Sequence, residues 1–420
     1  MAQQIIIKGT PVVAANEVLV AASNSKIPAV DGSAITAIAG GTITGTIPTA
    51  RLDIGTTANK LVILGASGLP AVDGSLLTGI VSYTKSASDP ALDTNPSGGV
   101  GTEWVNHTSG KQYICTDATT DTNVWTCSGG GSGNVVPYIY QGTQYGYEHG
   151  GEHPAATNRN SITKYSFTVD GNSVDVGDLT ATGEYDAGFH STTHGYRQQT
   201  THLDKYSFIT DGNATVVGTL PVSGQTSANT GLSSQLNGYS AGRNSVICRV
   251  SFTSDGNAVD VADMSQGRLQ PSNSSDTVNG YIMCGADGPT PYETVDKFVY
   301  ATEANSTAIG DMTTGGWRTG GSSSTTHGYA YGGNYNASVI VDVIDKFNFS
   351  GSFTSTDVGN LLANKMGVTG TSSTTYGYCA GGNPPAGIDV IEKYSFSADG
   401  NSTDVGNLDV PKDYAAGTSY

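Results

Sequence analysis

The sequence predicts an all-β protein, and its composition and two internal repeats lead to that prediction. The chain has 420 residues, of which 57 are glycine and 22 are tyrosine, and only 13% are charged. Such a composition favours strands and tight turns, because the lysine, glutamate and leucine that build long helices are scarce. An all-helical protein is therefore excluded. At this length we expect two or three domains and a sizeable core.

The charge of the chain is unevenly distributed. The formal net charge is -17, yet residues 1–80 hold four basic and four acidic side chains, so the whole excess lies in residues 81–420. This acidic balance argues against a nucleic-acid partner. The N-terminal residues show neither the basic stretch of a signal peptide nor the long apolar run of a membrane span. We therefore expect folding in a cytosol and no membrane insertion.

A six-fold repeat fills residues 143–420. Each copy contains a strand with a basic residue followed by the pattern aromatic-x-aromatic, except that the third copy has valine at the first aromatic place. The basic residues lie 41 to 49 positions apart, which is the length of one four-stranded propeller blade. They are Lys164, Lys205, Arg249, Lys297, Lys346 and Lys393. The repeat thus predicts a six-bladed β-propeller over residues 135–420.

Two further features recur in the repeat. Each copy carries a Gly-Tyr pair before the basic strand, and four copies carry an Asp-Gly-Asn hairpin turn after it. Seven residues before the glycine of Gly-Tyr stands another glycine in four copies, as at Gly188 and Gly370, and Asn273 in a fifth. We expect this position to require either a positive φ or close approach of neighbouring backbones near the propeller axis.

The two ends of the repeat region predict how the ring of blades closes. Residues 414–420 align with residues 185–191, and the next position of that alignment is taken by Thr143. The C-terminal strand should therefore complete the first blade and leave no open sheet edge. Residues 137–142 compete for the same place, and both possibilities stay open here.

The repeat resembles the kelch family of β-propellers over about two thirds of the chain. The resemblance rests on the period, the aromatic strand and the glycine pairs that begin at Gly150, Gly332 and Gly381. Two features depart from the family: Gln198 and Gln199 stand where a glycine pair is expected, and the tryptophan of the outermost strand is missing. The resemblance implies the kelch-like blade architecture and carries over no kelch function.

Residues 1–80 hold a different repeat, with an offset of 42 residues. The segment Pro-Ala-Val-Asp-Gly-Ser occurs at residues 28–33 and again at residues 70–75. Each copy consists of a short apolar strand, a turn and a small polar segment, which is too thin to bury a core in a single chain. Three chains wound together would supply that core.

Residues 1–127 resemble tail-fibre and receptor-binding proteins of tailed bacteriophages. The resemblance rests on residues 45–52, both Pro-Ala-Val-Asp-Gly-Ser copies, and aromatic strands between residues 100 and 125 that look like a small β-module of phage tail proteins. It implies a homotrimer that is part of the virion tail fibre, is assembled in the bacterial host cytoplasm, and binds other phage tail or virion proteins through its N-terminal region. The implied order is a virion-attachment and β-rich shaft region (1–80), a small β-module (81–127), a Gly/Ser linker (128–134) and the propeller (135–420).

The residues suggest no catalytic or metal-binding set. His194 and His327 occupy the same place before Gly-Tyr in different copies, so they are repeat positions rather than a pair of ligands. His149, Glu152 and His153 follow the order His-x-x-Glu-His, but the two glycines between them break the helical geometry that this zinc motif requires. We therefore expect no enzyme, no metal and no cofactor.

The cysteines raise one open question. The chain has five, an odd number at irregular spacing, which agrees with reduced thiols. Cys115 and Cys127 lie close enough in sequence to form a disulfide, and two packed thiols explain them equally well.

The candidate binding residues come from the loops that differ between copies. The Asp-Gly-Asn turns recur almost unchanged, whereas the loops between the second and third strands vary in length and chemistry, so a binding surface is expected there. Aromatic rings suit the apolar face of a sugar, and amides suit its hydroxyl groups. The candidate receptor contacts are Tyr292, Trp317, Tyr335 and Asn336.

Together these features lead us to expect a phage tail fiber that adheres to a host cell-surface polysaccharide or protein receptor through the distal propeller. Several weak sites on one particle would give avidity. The first alternative is a structural tail or capsid-surface decoration protein without receptor binding, which predicts large apolar patches on the propeller. The second is a glycan-degrading enzyme, which predicts a pocket with paired carboxylates or a bound metal.

Overall fold

The computed structural model describes residues 83–129, 137–153, 157–199, 202–220, 229–336, 339–383 and 388–420. The predicted shaft repeats and most of the predicted linker lie outside these residues. The described part is all-β: it consists of strands, turns and loops, and none of it is helical. Within it, no helix has the length and apolarity that crossing a membrane would require.

Each copy of the repeat forms one four-stranded antiparallel sheet, numbered here sheet 1 to sheet 6 in chain order. The first strands of sheets 1 to 6 are β34 (Ala416–Ser419), β10 (Ala187–His190), β14 (Thr230–Ser233), β18 (Ser272–Ser275), β24 (Gly320–Ser323) and β30 (Thr369–Ser372). The second strands, which contain Gly-Tyr, are β5 (Tyr145–His149), β11 (His194–Gln198), β15 (Asn237–Ala241), β19 (Asn279–Met283), β25 (His327–Tyr331) and β31 (Tyr376–Ala380).

The basic residue of each copy lies on the third strand, as predicted. The third strands are β8 (Ser161–Ser166), β12 (Leu203–Ser207), β16 (Val246–Ser251), β22 (Thr294–Val299), β28 (Val343–Asn348) and β32 (Val390–Ser395). The outermost strands are β9 (Val174–Asp178), β13 (Thr215–Gly218), β17 (Val259–Asp263), β23 (Thr307–Asp311), β29 (Ser355–Asn360) and β33 (Thr403–Asn407).

Three short hairpins and a separate sheet complete the described strands. The hairpins lie between second and third strands and consist of β6 (Glu152–His153) with β7 (Thr157–Asn158), β20 (Ala286–Asp287) with β21 (Thr290–Pro291), and β26 (Asn334–Asn336) with β27 (Val339–Ile340). The separate four-stranded sheet consists of β1 (Tyr83–Ser86), β2 (Glu103–Asn106), β3 (Gln112–Asp117) and β4 (Val124–Gly129).

The core of the separate sheet settles the cysteine question. Tyr113, Cys115 and Trp125 are fully buried there, and the Trp104 and Trp125 rings meet edge to face at 5.9 Å. Cys115 and Cys127 both belong to this cluster and form no disulfide with each other. Of the two explanations, packed thiols is the correct one.

The first strands of the six sheets meet around a common axis. Each contacts the first strands of both neighbouring sheets, and β34 contacts both β30 and β10, so the succession of sheets returns on itself. A Cβ on Gly188 would lie 2.8 Å from the carbonyl oxygen of Gly417, and one on Gly370 would collide with the carbonyl of Gly321. None of these four glycines has a positive φ. Close approach of backbones, rather than φ, therefore explains the repeated glycine.

The C-terminal strand completes sheet 1, as the alignment predicted. β34 pairs antiparallel with β5, and Thr418 lies opposite Tyr147. The carbonyl of Tyr420 accepts hydrogen bonds from the backbone N–H groups of Thr143, Gln144 and Tyr145. Residues 137–142 do not take this place in the sheet.

The six sheets have two distinct ends. We call the end with the turns between first and second strands and between third and outermost strands the turn face. The opposite end, with the loops between second and third strands and the connections to the next sheet, is called the loop face. Because every sheet is antiparallel and the first strands share one axis, all turns of one kind lie at the same end.

Ion pairs join neighbouring sheets at the turn face. In five sheets the repeated basic residue pairs with a carboxylate in a turn of the next sheet. The nitrogen–oxygen distances are 2.5 Å for Lys164–Asp211, 2.8 Å for Lys205–Asp255, 2.6 Å for Arg249–Glu303, 2.7 Å for Lys346–Asp399 and 2.5 Å for Lys393–Asp170. The basic strand of one sheet and the turn of the next sheet thus form one repeated ion pair. Lys393–Asp170 is the same pair between sheet 6 and sheet 1.

The junction between sheets 4 and 5 is built differently. The turn of sheet 5 has no acidic residue for Lys297, because its sequence from Ser350 to Thr354 is uncharged. Phe353 from this turn packs on Phe347 with ring centroids 5.6 Å apart and fills the space beside Gly310. An apolar contact replaces the ion pair at this junction.

Residues 137–143 lie across the axis at the turn face. The Gln141 side chain donates to the carbonyl of Ser324 at 2.8 Å, and the Gly142 N–H donates to that of Ser372 at 2.9 Å. His190 donates from Nε2 to the carbonyl of Tyr140 at 3.0 Å. The segment therefore binds sheets 2, 5 and 6 at once. A cavity of about 570 Å³ opens beside it.

Candidate functional site

The structure brings three of the four predicted contacts together on the loop face, between sheets 4 and 5. Tyr292 follows β21, Tyr335 lies on β26, and these two strands contact each other. Trp317 pairs with Asn334 through two backbone hydrogen bonds of 3.3 and 2.9 Å. Tyr292 and Trp317 are half-buried, and Tyr335 is 39% exposed. The backbone of Asn336 belongs to β26, but its side chain lies outside the described part.

A ring of backbone around the axis, which the sequence did not reveal, lies next to these residues. It is formed by the residue two positions before the first strand in five sheets, and all five have a left-handed conformation. The φ values are 56° at Tyr185, 51° at Gln270, 65° at Arg318, 65° at Gly367 and 55° at Tyr414. We call these five residues the axial ring. The equivalent position before β14 lies outside the described residues.

Hydrogen bonds join the axial ring head to tail. The N–H of Arg318 donates to the carbonyl of Gln270 at 3.1 Å, and Gly367 donates to Arg318 at 2.8 Å. Tyr414 in turn donates to Gly367 at 2.8 Å, and Tyr185 donates to Tyr414 at 3.1 Å. These bonds hold the left-handed conformation, which costs about 1–2 kcal/mol for each residue that is not glycine. Gly367 has no side chain and makes the same backbone hydrogen bonds, so the backbone alone is enough to form the axial ring.

The side chains of the axial ring form a layered stack with Trp317. The guanidinium of Arg318 lies 4.4 Å from the Trp317 ring and 5.0 Å from the Tyr414 ring. Tyr414 packs on Tyr185 with centroids 4.4 Å apart. Arg318 Nε donates to Gln270 Oε1 at 3.0 Å, which fixes the plane of the guanidinium. Trp317, predicted as a candidate receptor contact, is thus one end of a stack that reaches the axis.

Carboxyl groups border the stack. Burial, together with a hydrogen bond to the carboxyl of Glu152, raises the pKa of Glu184 to about 7. Burial also raises the pKa of Asp413, which is 3% exposed. The nearby carboxylate of Glu152 adds to the rise in the pKa of Glu184, because a like charge disfavours the charged form.

A small polar cavity lies at the axis beneath the ring. Its volume is about 90 Å³, and its walls include the repeated glycines and the side chains of Asp186, Asn273 and Thr369. At about 30 Å³ for each water, it holds about three water molecules. The cavity therefore admits a small polar group at the loop face but no sugar ring.

The histidines of the repeat lie apart from this surface. His194 and His327 belong to β11 and β25 of different sheets, and each hydrogen-bonds through Nδ1 to the preceding threonine, at 2.9 and 2.8 Å. His149 is buried within the sheets, which lowers its pKa to about 3. Among the described residues, no three histidine, cysteine, aspartate or glutamate side chains converge as metal ligands would.

Exposed apolar side chains occur at both faces, and in the described part those at the loop face are Tyr335, Val339 and Leu362. Several lie in turns of the turn face, one in each turn, as Val169, Ile209, Leu236 and Val278 do. Apolar residues exposed singly are usual on soluble proteins.

Comparisons with known proteins show a likeness in structure. No protein-family model matches the sequence, and no curated protein matches it. The solved structure described as "Structure of YjhT" is similar with a TM-score of 0.49 and 12% identity, over 57% of this chain and 88% of that one.

Proposed function

We propose that this chain is a tail-fibre adhesin of a tailed bacteriophage. In this proposal the six sheets are the blades of a six-bladed, kelch-like β-propeller. Its loop face binds a saccharide on the host cell surface, and the chain trimerises through its N-terminal shaft. The resemblance of residues 1–127 to phage fibre proteins supports the viral part of the proposal.

The difference between the two faces is the observation that carries the binding role. The turn face is crossed by residues 137–143, through which the chain arrives from its N-terminal part. The loop face presents Tyr292, Trp317 and Tyr335 beside a preorganised stack of aromatic rings and a guanidinium. Planar aromatic surfaces flanked by fixed donors and acceptors suit sugars, which have apolar faces and many hydroxyl groups.

The proposal is tested by binding of the full chain to surface polysaccharide extracted from a panel of bacteria, with glycan length followed over time. We expect binding without shortening of the glycan. Tyr335→Ala should weaken binding, because it removes an exposed ring from the loop face. Ile209→Ala, an exposed apolar residue of the turn face, is the matched control and should bind normally.

Other outcomes separate the alternatives. Shortened glycan would show that the chain is a glycan-degrading enzyme. A folded protein that binds no polysaccharide and no host cell would favour the structural decoration protein. Equal loss of binding in both variants would argue against the loop face.

A further inference from the structure

The axial ring holds large side chains where glycine would suffice. Of its five residues only Gly367 is a glycine, and the backbone hydrogen bonds of the ring are the same at Gly367 as at Arg318 and Tyr414. Tyr185, Gln270, Arg318 and Tyr414 therefore occupy strained positions that the fold does not require them to fill. Strain of this kind persists where the side chain has a use, as at ligand clamps.

The stack is also organised before any ligand arrives. Arg318 is held between Trp317 and Tyr414 and is fixed at Nε by Gln270. One Nη of Arg318 donates to the Met366 sulfur at 3.6 Å. Within the described residues no salt bridge joins a carboxylate to this guanidinium, so the N–H groups of the other Nη are left for a ligand. Groups that are fixed in advance lose little conformational entropy when they bind a ligand.

The charge around the stack selects the kind of saccharide. One guanidinium, that of Arg318, faces the carboxyl groups of Glu152, Glu184 and Asp413, whose charges act on one another and on the neighbouring tyrosines. The whole chain adds a net charge of -17. A saccharide that carries carboxylate or phosphate groups would be repelled here, whereas the hydroxyl groups of an uncharged sugar find both donors and acceptors.

Resting on the proposed function, we infer that Tyr185, Trp317, Gln270, Arg318 and Tyr414 form the specificity-determining subsite for an uncharged glycan. The sugar lies over the stack at the axis. The cavity beneath it, with room for about three waters, receives a hydroxyl or hydroxymethyl group and no ring. Tyr292 and Tyr335 extend the same surface outward along the glycan.

The test uses the full chain and the surface polysaccharide of a bacterial panel, separated by anion exchange into neutral and acidic fractions. Binding is measured by calorimetry and by tryptophan fluorescence, in which a change at Trp317 adds to the signal of Trp104 and Trp125 in the separate sheet. Arg318→Gly and Tyr414→Gly leave the left-handed backbone intact, as Gly367 shows. We expect the neutral fraction to bind at least about tenfold more weakly to both variants. The unfolding temperature should be unchanged or raised for Arg318→Gly and lowered for Tyr414→Gly, because the Tyr414 ring is only 9% exposed.

Two further variants serve as controls. Asp121→Gly changes a left-handed residue of the separate sheet, at φ 59°, and should bind as the unaltered chain does. Arg318→Lys keeps the positive charge but loses the planar group. It should show the same loss of binding in a folded protein, even if the glycine variants unfold.

The inference and the proposed function fail in different ways. If the chain bound only the acidic fraction, the inference of an uncharged ligand would be wrong. If Arg318→Gly, Tyr414→Gly and Arg318→Lys all bound the neutral fraction normally, the glycan would bind elsewhere on the protein. The proposed adhesin function would not be affected. Failure of the unaltered chain to bind either fraction would contradict the proposed function itself.

Discussion

The two faces of the sheets use charge in opposite ways. At the turn face, pairs such as Lys346–Asp399 repeat from sheet to sheet and remain half-exposed, with 19% and 48% of the side chains accessible. Toward the loop face, pairs such as Arg268–Asp296 at 3.1 Å and Lys365–Glu392 have almost no exposed surface. The turn face therefore joins the sheets by half-exposed contacts of small energy, whereas the loop face depends on buried ones.

The buried pairs support the surface that we propose for binding. Asp296 also accepts hydrogen bonds from the Ser265 N–H at 2.9 Å and the Ser306 hydroxyl at 2.9 Å. It thereby fixes the connection that leads from sheet 3 into sheet 4. Variation is tolerated at the loop face because each connection has its own internal support, which leaves the outward side chains free to differ.

The largest effect on this comparison should come from Asp296→Ala. The substitution leaves the buried guanidinium of Arg268 without its carboxylate, so we expect a loss of about 3–5 kcal/mol in the free energy of unfolding. Urea unfolding measures it. Asp399→Ala is the matched control at the turn face. Equal losses for the two variants would remove the distinction between the faces.

A smaller effect should follow from Gly370→Ala, at the axis that both faces share. The new Cβ would collide with the carbonyl of Gly321, so the backbones must move apart, at a cost of about 1–3 kcal/mol. Gly171→Ala is the control, because Gly171 has no positive φ and nothing within 4 Å of an added Cβ. A normal unfolding midpoint for Gly370→Ala would contradict the close approach.

The two faces should also respond oppositely to pH. At the turn face, burial lowers the pKa of His190 to about 4. Below pH 6.5 the unfolded chain takes up a proton that the folded chain refuses, so stability falls as the pH drops from 6.5 toward 4. At the loop face, the pKa of Glu184 is raised to about 7. Between pH 4.5 and 7 the unfolded chain loses a proton that the folded chain keeps, so stability falls as the pH rises.

Urea unfolding across pH 3–8 checks both slopes. His149 and Glu148 contribute the same two signs, so each slope is assigned by difference from a variant. The two windows overlap between pH 4.5 and 6.5 and have opposite signs. Relative to the unaltered chain, His190→Gln should therefore remove a loss of stability toward acidic pH, and Glu184→Gln should remove a loss toward neutral pH. A difference of the opposite sign for either variant would contradict the direction of its pKa shift.

The smallest effect should be that of Asp399→Ala itself. Because the pair with Lys346 is half-exposed, we expect a loss below about 1 kcal/mol that disappears in 1 M salt. Unfolding at low and high ionic strength measures it. A loss that is larger, or that salt does not change, would mean that the repeated pairs hold the sheets more tightly than their exposure implies.

The repeat made most of the strand order predictable. The six basic strands, the Gly-Tyr strands and the pairing of the C-terminal strand with residues 145–149 follow from local patterns that recur, so each copy confirms the others. The predicted contacts Tyr292, Trp317 and Tyr335 also lie together, because all three belong to loops at the same end of their sheets. The sequence missed Tyr185, Arg318 and Tyr414. This repeat position holds tyrosine, glutamine, arginine or glycine, which in the sequence looks like surface variation. Only the φ values show that the position has a left-handed conformation in each described copy.

The sequence by itself determined the all-β class, the six copies and the way the last strand joins the first sheet, because turn chemistry and strand alternation act over a few residues. Only the tertiary structure decided which residues meet. Lys393 pairs with Asp170, and Arg318 stacks on Tyr414, across long separations along the chain. Such contacts arise when the first strands close around one axis. That closure depends on all six sheets together and cannot be predicted from the sequence of any one copy.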